Sequence, residues 1–313
     1  MRIVKSSVDI IIQECGVEGL FKHMEKIGRI AYRSEDKSGP ETTQPFLNKI
    51  KKLGHWSVFE GGTVYISVPL FLGFKIMRKI RKVSACQWSK YKIRGLHMNI
   101  TTNYRVWMKA KLGDDLLRKY WKDPKHDSHY LRVTTFWVCD RAIAQEVLRH
   151  RILSPTMEST RYVNYSKKLG IEFILPQWVV KEYTSIMGIS PEECIAAQQI
   201  WDKCIEMGSE RVISRNEFLR KSEAEYHKEI KVFGLNAQEA RDVLPLELRT
   251  NLYLTGWLKD WIETNKDPES TEKVGVIALR ADKDAHPNVR VLALDLRQQI
   301  IEMYKDSKEL ILI

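Results

Sequence analysis

Residues 145–166 read QEVLRHRILSPTMESTRYVNYS, and the rest of the chain is read outward from them. Arg149, His150, Arg151 and Arg161 set four cation-capable side chains within thirteen positions, with Ser154, Thr156, Ser159 and Thr160 between them. A guanidinium presents forked donors that match phosphate or carboxylate oxygens two at a time. Small hydroxyl residues let further donors approach the same anion. A bare Arg-His-Arg triplet is more often a solvated basic face than a site. Here the order matters: an apolar approach, the triplet, then Ser, Glu-Ser and Arg-Tyr at fixed offsets.

That order, RHRILSPTMESTRY over 149–162, resembles the signature of the flavin-dependent thymidylate synthases, Arg-His-Arg-x-x-Ser-x-x-x-x-Ser-x-Arg-Tyr. Many members have Asn-Glu where this chain has Thr156 and Met157, and the acid here comes one place later, at Glu158. Three further stretches extend the resemblance. GHWSVFE (54–60) is similar to the family's Gly-His-x-Ser/Thr-x-x-Glu, ARDVLP (240–245) matches its Ala-Arg-x-Val-Leu-Pro, and Leu279, Arg280, Ala285 and Val289 follow its last motif. Where the family has Thr-x-Asn-x-Arg, this chain reads Thr255-Gly-Trp-Leu-Lys259, which keeps a cation without the guanidinium fork.

Composition bounds the rest. The 313 residues suit one large domain or two modest ones, and 43% hydrophobic residues suffice for a core. Lys+Arg outnumber Asp+Glu by 51 to 40, so a net charge of +11 favours anionic partners. Cys15, Cys86, Cys139, Cys194 and Cys204 are scattered without a CxxC pair and read as reduced thiols. With no signal-peptide pattern and no apolar run of membrane-spanning length, a cytoplasmic protein is expected. There is no GxGxxG and no GxxxxGK[ST], so phosphates must be held by side chains.

The periodicities predict α+β structure, an antiparallel sheet flanked by long helices. Strands are expected near 2–13, 63–70, 131–139 and 171–176, with 131–139 pairing to 63–70. Helices are expected over 17–32, from Pro40 to Leu53, from Asp140 as a cap to 151, over 190–232 with a break near Gly208, over 236–244, 246–263 and from Pro287 onward. Residues 71–130 are basic with interleaved aromatics. They read as an insertion containing a β-hairpin, HMNITTNYRVWMKA, that turns at Thr102-Asn103. Their charge suits nucleic acid or polyglutamate, although a solvated decoration or an oligomer contact is the commoner meaning. Residues 264–275 read as a second inserted loop.

The resemblance implies one catalytic domain over 1–313 that makes dTMP from dUMP. FAD would be the redox carrier, NADPH and 5,10-methylenetetrahydrofolate the co-substrates, and a homotetramer with shared sites the assembly. It assigns dUMP to Gln145, Glu146, Arg149, Glu158, Ser159, Thr160, Arg161, Arg241 and Arg280, with Arg280 catalytic at the uracil ring. It assigns FAD to His55, Ser57, Glu60, Arg149, His150, Arg151 and Lys259, and implies no metal. Ser159 has no base placed beside it in the sequence, so it reads as a phosphate donor rather than a nucleophile. Two rivals stand: a basic nucleic-acid-binding protein, which the motifs disfavour, and a flavoprotein of another reaction class.

Overall fold

The computed structural model describes residues 1–84, 86–125, 127–166, 170–193, 195–262 and 275–307. Apart from Gly275, the polar loop 264–275 lies outside them, as does Cys194. The chain opens with β1 (Arg2–Val4), β2 (Ser7–Ile11) and helices α1 (Gly16–Ile30), α2 (Thr43–Lys52) and α3 (Ser57–Gly61). Next come β3 (Thr63–Pro69), α4 (Leu70–Ile80), β4 (Lys90–Arg94), β5 (His97–Asn103), α5 (Tyr104–Lys109) and α6 (Asp114–Tyr120). The centre is β6 (Arg132–Asp140), α7 (Arg141–Leu148), β7 (Ser154–Met157) and β8 (Glu172–Ile174). Then α8 (Gln177–Met187), α9 (Ala197–Glu206), α10 (Glu210–Lys231) and α11 (Ala237–Ala240) lead to β9 (Arg249–Trp257). The last helices are α12 (Leu258–Ile262), α13 (Val276–Arg280) and α14 (Pro287–Tyr304).

The central sheet is antiparallel in the order β2-β6-β9-β7, with Ser154 opposite Thr255 and Thr135 opposite Leu254. Successive side chains point to opposite faces of a strand. Val133, Trp137, Leu252 and Leu254 therefore face α7, α12, α13 and α14, while Phe136 and Tyr253 face α1. Each fully buried residue of this kind stabilises the fold by about 1.5–3 kcal/mol. A second sheet, β3-β5-β4, packs under α1 and α4. A parallel pair, β1-β8, lies against α8, α9 and α10.

Four expectations need correction. Residues 246–263 are mainly strand β9, because both faces of 249–257 are covered by packed elements and apolar periodicity no longer separates strand from helix. β6 pairs with β2 and β9 rather than with β3. The hairpin within 71–130 joins β4 to β5 around Gly95, whose φ of +56° accommodates the turn; Asn103 instead caps α5, accepting from Val106 N–H at 2.8 Å. The cap at Ser190 opens only a short 3-10 turn, so the helix expected from there starts at Ala197; its expected break falls at Gly208 (φ +79°), between α9 and α10. The reading of α7 holds, with Asp140 Oδ1 accepting from Ile143 N–H at 2.7 Å. Cys15, Cys139 and Cys204 are free thiols, and no helix among the described residues is long and apolar enough to cross a membrane.

Candidate active site

Strand β7 carries the signature, and its two ends hold two separate clusters. At its start, the C-terminal end of α7 delivers Arg149, His150 and Arg151 into a tight turn in which Leu153 N–H donates to the His150 carbonyl at 3.0 Å. Arg280, from the end of α13, closes on this turn. Its Nε donates to His150 Nε2 at 3.0 Å, and its terminal nitrogens donate to Glu146 Oε2 at 2.9 Å and the Glu146 carbonyl at 2.8 Å. A guanidinium cannot accept, so His150 Nε2 is unprotonated and its proton sits on Nδ1. Burial, then Arg280 and Arg149, hold the imidazole down at about 4, so it is neutral at physiological pH. Arg280 has five N–H groups and spends three here, leaving one on each terminal nitrogen.

Gln145, Arg149 and Arg151 are exposed, and among the described residues the two arginines have no ion-pair partner. Beside them the buried Ser154 Oγ has no hydrogen-bond partner. A pair of unpaired guanidiniums beside an orphaned hydroxyl fits an anionic dinucleotide such as FAD.

The second cluster begins where β7 ends. Ser159 N–H donates to the Ala31 carbonyl at 3.2 Å, tying the loop to the end of α1, and Ser159 Oγ accepts from Arg161 N–H at 3.3 Å. Arg161 Nε donates to Gln238 Oε1 at 3.0 Å, while an Arg241 terminal nitrogen lies 3.5 Å from Thr160 Oγ1. The capping box Asn236–Glu239 fixes α11 and so aims Gln238 and Arg241 at this loop. On the other side Tyr162 packs on Tyr32 and His55, with ring centroids 5.4 and 6.0 Å apart, and the Tyr32 hydroxyl bonds His55 Nδ1. Ser57 is exposed at the start of α3, next to His55.

Three expected contacts are spent elsewhere. Glu158 is wholly buried, accepting from Arg33 Nε at 3.0 Å and the Tyr165 hydroxyl at 2.6 Å, with Arg249 at 4.0 Å. Glu172 joins the same network through Arg2, Arg33 and Arg249. Glu60 is buried and ion-paired to Arg105. Lys259 lines a cleft with Arg81, Tyr91 and Tyr130, apart from both clusters. Its side chain is directed there because β9 runs through Trp257 before α12 begins.

Sequence reasoning missed Tyr32, Gln238 and Arg33. Only Gln238 sat beside a motif; the other two are brought in by α1 docking against the loop. Among the described residues no group of three or more metal-capable side chains assembles. Two cavities of the single chain also lie elsewhere, one of about 370 Å³ around His129 and Arg132 and one of about 790 Å³ under α1 beside Phe136 and Tyr253.

Among solved structures, the chain is similar to a UMP/dUMP methylase, PolB from Streptomyces cacaoi, determined with 5-Br dUMP bound. That likeness covers 99% of each chain at 13% identity with a TM-score of 0.38. No curated protein matches the sequence. The family model for the thymidylate synthase complementing protein matches residues 82–304, more than two thirds of the chain. That span takes in the 149–162 signature, ARDVLP and Arg280, while GHWSVFE precedes it. The chain belongs to the thymidylate synthase complementing protein family.

Proposed function

We propose that the chain is a flavin-dependent thymidylate synthase, a methyltransferase that converts dUMP to dTMP. Methylenetetrahydrofolate would donate the carbon, NADPH would be the reductant, and the chain would work as one catalytic unit in a homotetramer. The observation that carries this reading is the convergence of Arg161, Arg241 and the Ser159–Thr160 hydroxyls on one loop, with a second guanidinium set at the other end of the same strand.

Arg161 has both terminal nitrogens without a partner among the described residues. Together with Arg241 and Ser159 it suits the phosphate of a nucleotide. Arg149, His150 and Arg151 at the start of β7 suit the cofactor, together with His55 and Ser57 from the Tyr162 side of a second copy, and bound FAD would supply hydride. Arg280 suits the uracil ring: one N–H on each terminal nitrogen remains to donate to O2 and N3, which would stabilise the negative charge that makes C5 nucleophilic. Glu146 and neutral His150 hold that guanidinium in place, so the fork needs little reorganisation as charge develops. Ser159 Oγ is already turned to Arg161 N–H and has no base beside it, consistent with a positioning role.

Two clusters at opposite ends of a four-residue strand are about 10 Å apart along the strand alone. No hydrogen bond or ion pair joins them among the described residues. We therefore assign each complete site to two copies of the chain, one presenting the Arg161–Arg241 side and the other the Arg280 side.

The test is a flavin absorbance spectrum of the purified protein and its change on adding dUMP, followed by turnover with deuterated reduced flavin. Label in dTMP is the expected result. A colourless protein that forms no labelled dTMP with added flavin would remove the assignment.

A further inference from the structure

Residues 61–113 hold eleven Lys and Arg and no Asp or Glu. The chain has 51 basic and 40 acidic residues, so the remainder carries 40 of each and is neutral. The whole net charge of +11 therefore belongs to one segment, which folds as β3, α4, the β4–β5 hairpin and α5. A charge run in a disordered tail is usually just solvated. This one is held on a packed sheet: Gly73, Ile76, Met77 and Ile80 of α4 are buried against it, so the cations of the helix point outward.

Three adjoining clefts follow β4, two of them between it and α4, sharing Met77, Arg81, Tyr91 and Tyr130 among them. Their cations are Arg78, Arg81, Lys90, Lys92, Arg94 and Lys259, of which Lys92 and Arg94 also donate to the Asp127 carbonyl, and among the described residues the linings include no carboxylate. Aromatic rings are interleaved with these charges. Phe74 and Tyr91 stand in the clefts, and Phe71 and Phe74 are 67% and 56% exposed. Lys92 Nζ lies 4.6 Å from the Tyr130 ring, and Lys75 Nζ 5.9 Å from that of Phe71. A basic groove with exposed aromatic faces is the physical pattern of a single-strand nucleic-acid channel: cations follow the phosphates while rings stack on unpaired bases.

We propose that the α4–β4 groove binds single-stranded nucleic acid, at a site separate from the candidate active site. Other occupants fit less well. A duplex is read by a convex element entering its groove, and this surface is concave. A bilayer is met by a continuous apolar helix face, whereas the outward face of α4 interrupts Phe71 and Phe74 with Lys75 and Arg78. A second copy of the chain docking face to face would set like charge against like. A single nucleotide would fill only one of the three clefts. The sequence reading noted aromatics interleaved with these cations but set nucleic acid aside as the rarer meaning of such a run; the fold adds that rings and cations line the same clefts.

The measurement is fluorescence anisotropy of a labelled oligodeoxycytidylate of about 12 nucleotides, titrated with the full chain at several salt concentrations. A 5′-hydroxyl end keeps it from mimicking dUMP, and excess dUMP is expected not to compete, so the result is independent of the proposed function. Saturable binding that weakens steeply with salt is expected. The double variant Arg78→Glu/Arg81→Glu should weaken it at least about tenfold and flatten the salt slope by about 0.7 per lost phosphate contact. Phe74→Ala should weaken it about fivefold or more with the slope unchanged. Elution mass and thermal midpoint should match the parent chain. Should either variant fail to fold, photo-cross-linking of the parent chain to the oligonucleotide should map to residues 71–94.

Any one of several results overturns the proposal: no saturable anisotropy rise at low salt, undiminished binding by the arginine variant, or cross-links only outside the groove. So do equal binding of a duplex with no effect of Phe74→Ala, binding of phosphatidylglycerol vesicles but not the oligonucleotide, and a changed mass in the arginine variant.

Discussion

Arg280 illustrates how a single guanidinium is prepared for one task. Three of its donors are fixed by Glu146 and His150, and that anchoring leaves one N–H on each terminal nitrogen unspent. Arg280→Ala should keep the flavin spectrum but lower kcat for dTMP by at least about 10²-fold, the usual loss when one donor to a developing anion is removed. Arg280→Lys should recover little, because an ammonium has no planar fork. Single-turnover assays on flavin-loaded variants check both, and a variant that turns over normally removes Arg280 from the role. Glu158 is the opposite case, a motif residue spent on structure. Arg33, held at a left-handed φ of +46°, directs its guanidinium into the Glu158–Glu172 network. Glu158→Gln leaves that buried cation undercompensated and should cost about 3 kcal/mol of stability in denaturant unfolding. If dUMP affinity fell while stability did not change, Glu158 would belong to the site after all.

At the scale of elements, β7 and β9 set the spacing of the two clusters, and Gly256 sets how closely they pack. A Cβ at Gly256 would lie 2.3 Å from Leu153 Cδ2, in a residue bonded to the His150 turn. Gly256→Ala should therefore destabilise by about 1–3 kcal/mol and loosen that turn, seen as a lower thermal midpoint and weaker flavin retention. Two buried histidines give the sheets an acid sensitivity. Burial pushes His23, on the buried face of α1, down to about 3, and His129, bonded to the Ile66 carbonyl, down to about 4. Both values lie below that of the unfolded chain, about 6.5, so the unfolded state binds the extra protons first. Stability is then full above about pH 6.5 and falls as pH drops toward 4, by up to about 1.4 kcal/mol per pH unit for each histidine. Unfolding midpoints between pH 6.5 and 5 check this, and His129→Gln should flatten the slope. These elements were unequally legible. Capped helices such as α7 and α11 announce themselves through Asp140 and Asn236, because a cap is a local interaction. β9 did not, because its neighbours bury both of its faces and erase the alternation that marks a strand.

At the scale of the whole molecule, the motifs told which residues belong together but not how they are divided. Sequence order placed Arg149 and Arg161 within one signature; the fold turns that proximity into opposite ends of β7, with Gln238 and Arg241 at one end and Arg280 at the other. The contribution of Tyr32 could not be read, because it depends on α1 meeting a loop far along the chain. If each site is built by two copies, damage on the two sides is separable. Arg161→Ala should be inactive because its phosphate side is lost, and Arg280→Ala because its uracil side is lost. After dissociation and reassembly of a mixture, some interfaces must pair the intact Arg161 side of one variant with the intact Arg280 side of the other. Random reassociation of equal amounts should restore roughly a quarter of the parental sites, since an isologous contact exchanges the same patches between partners. Turnover of dUMP in the reassembled mixture, against each variant treated alone, is the measurement. Activity that stays at the level of the separate variants would mean that both arginines serve one chain, and the fold would then have to bring the two ends of β7 to a common substrate without help from a neighbour.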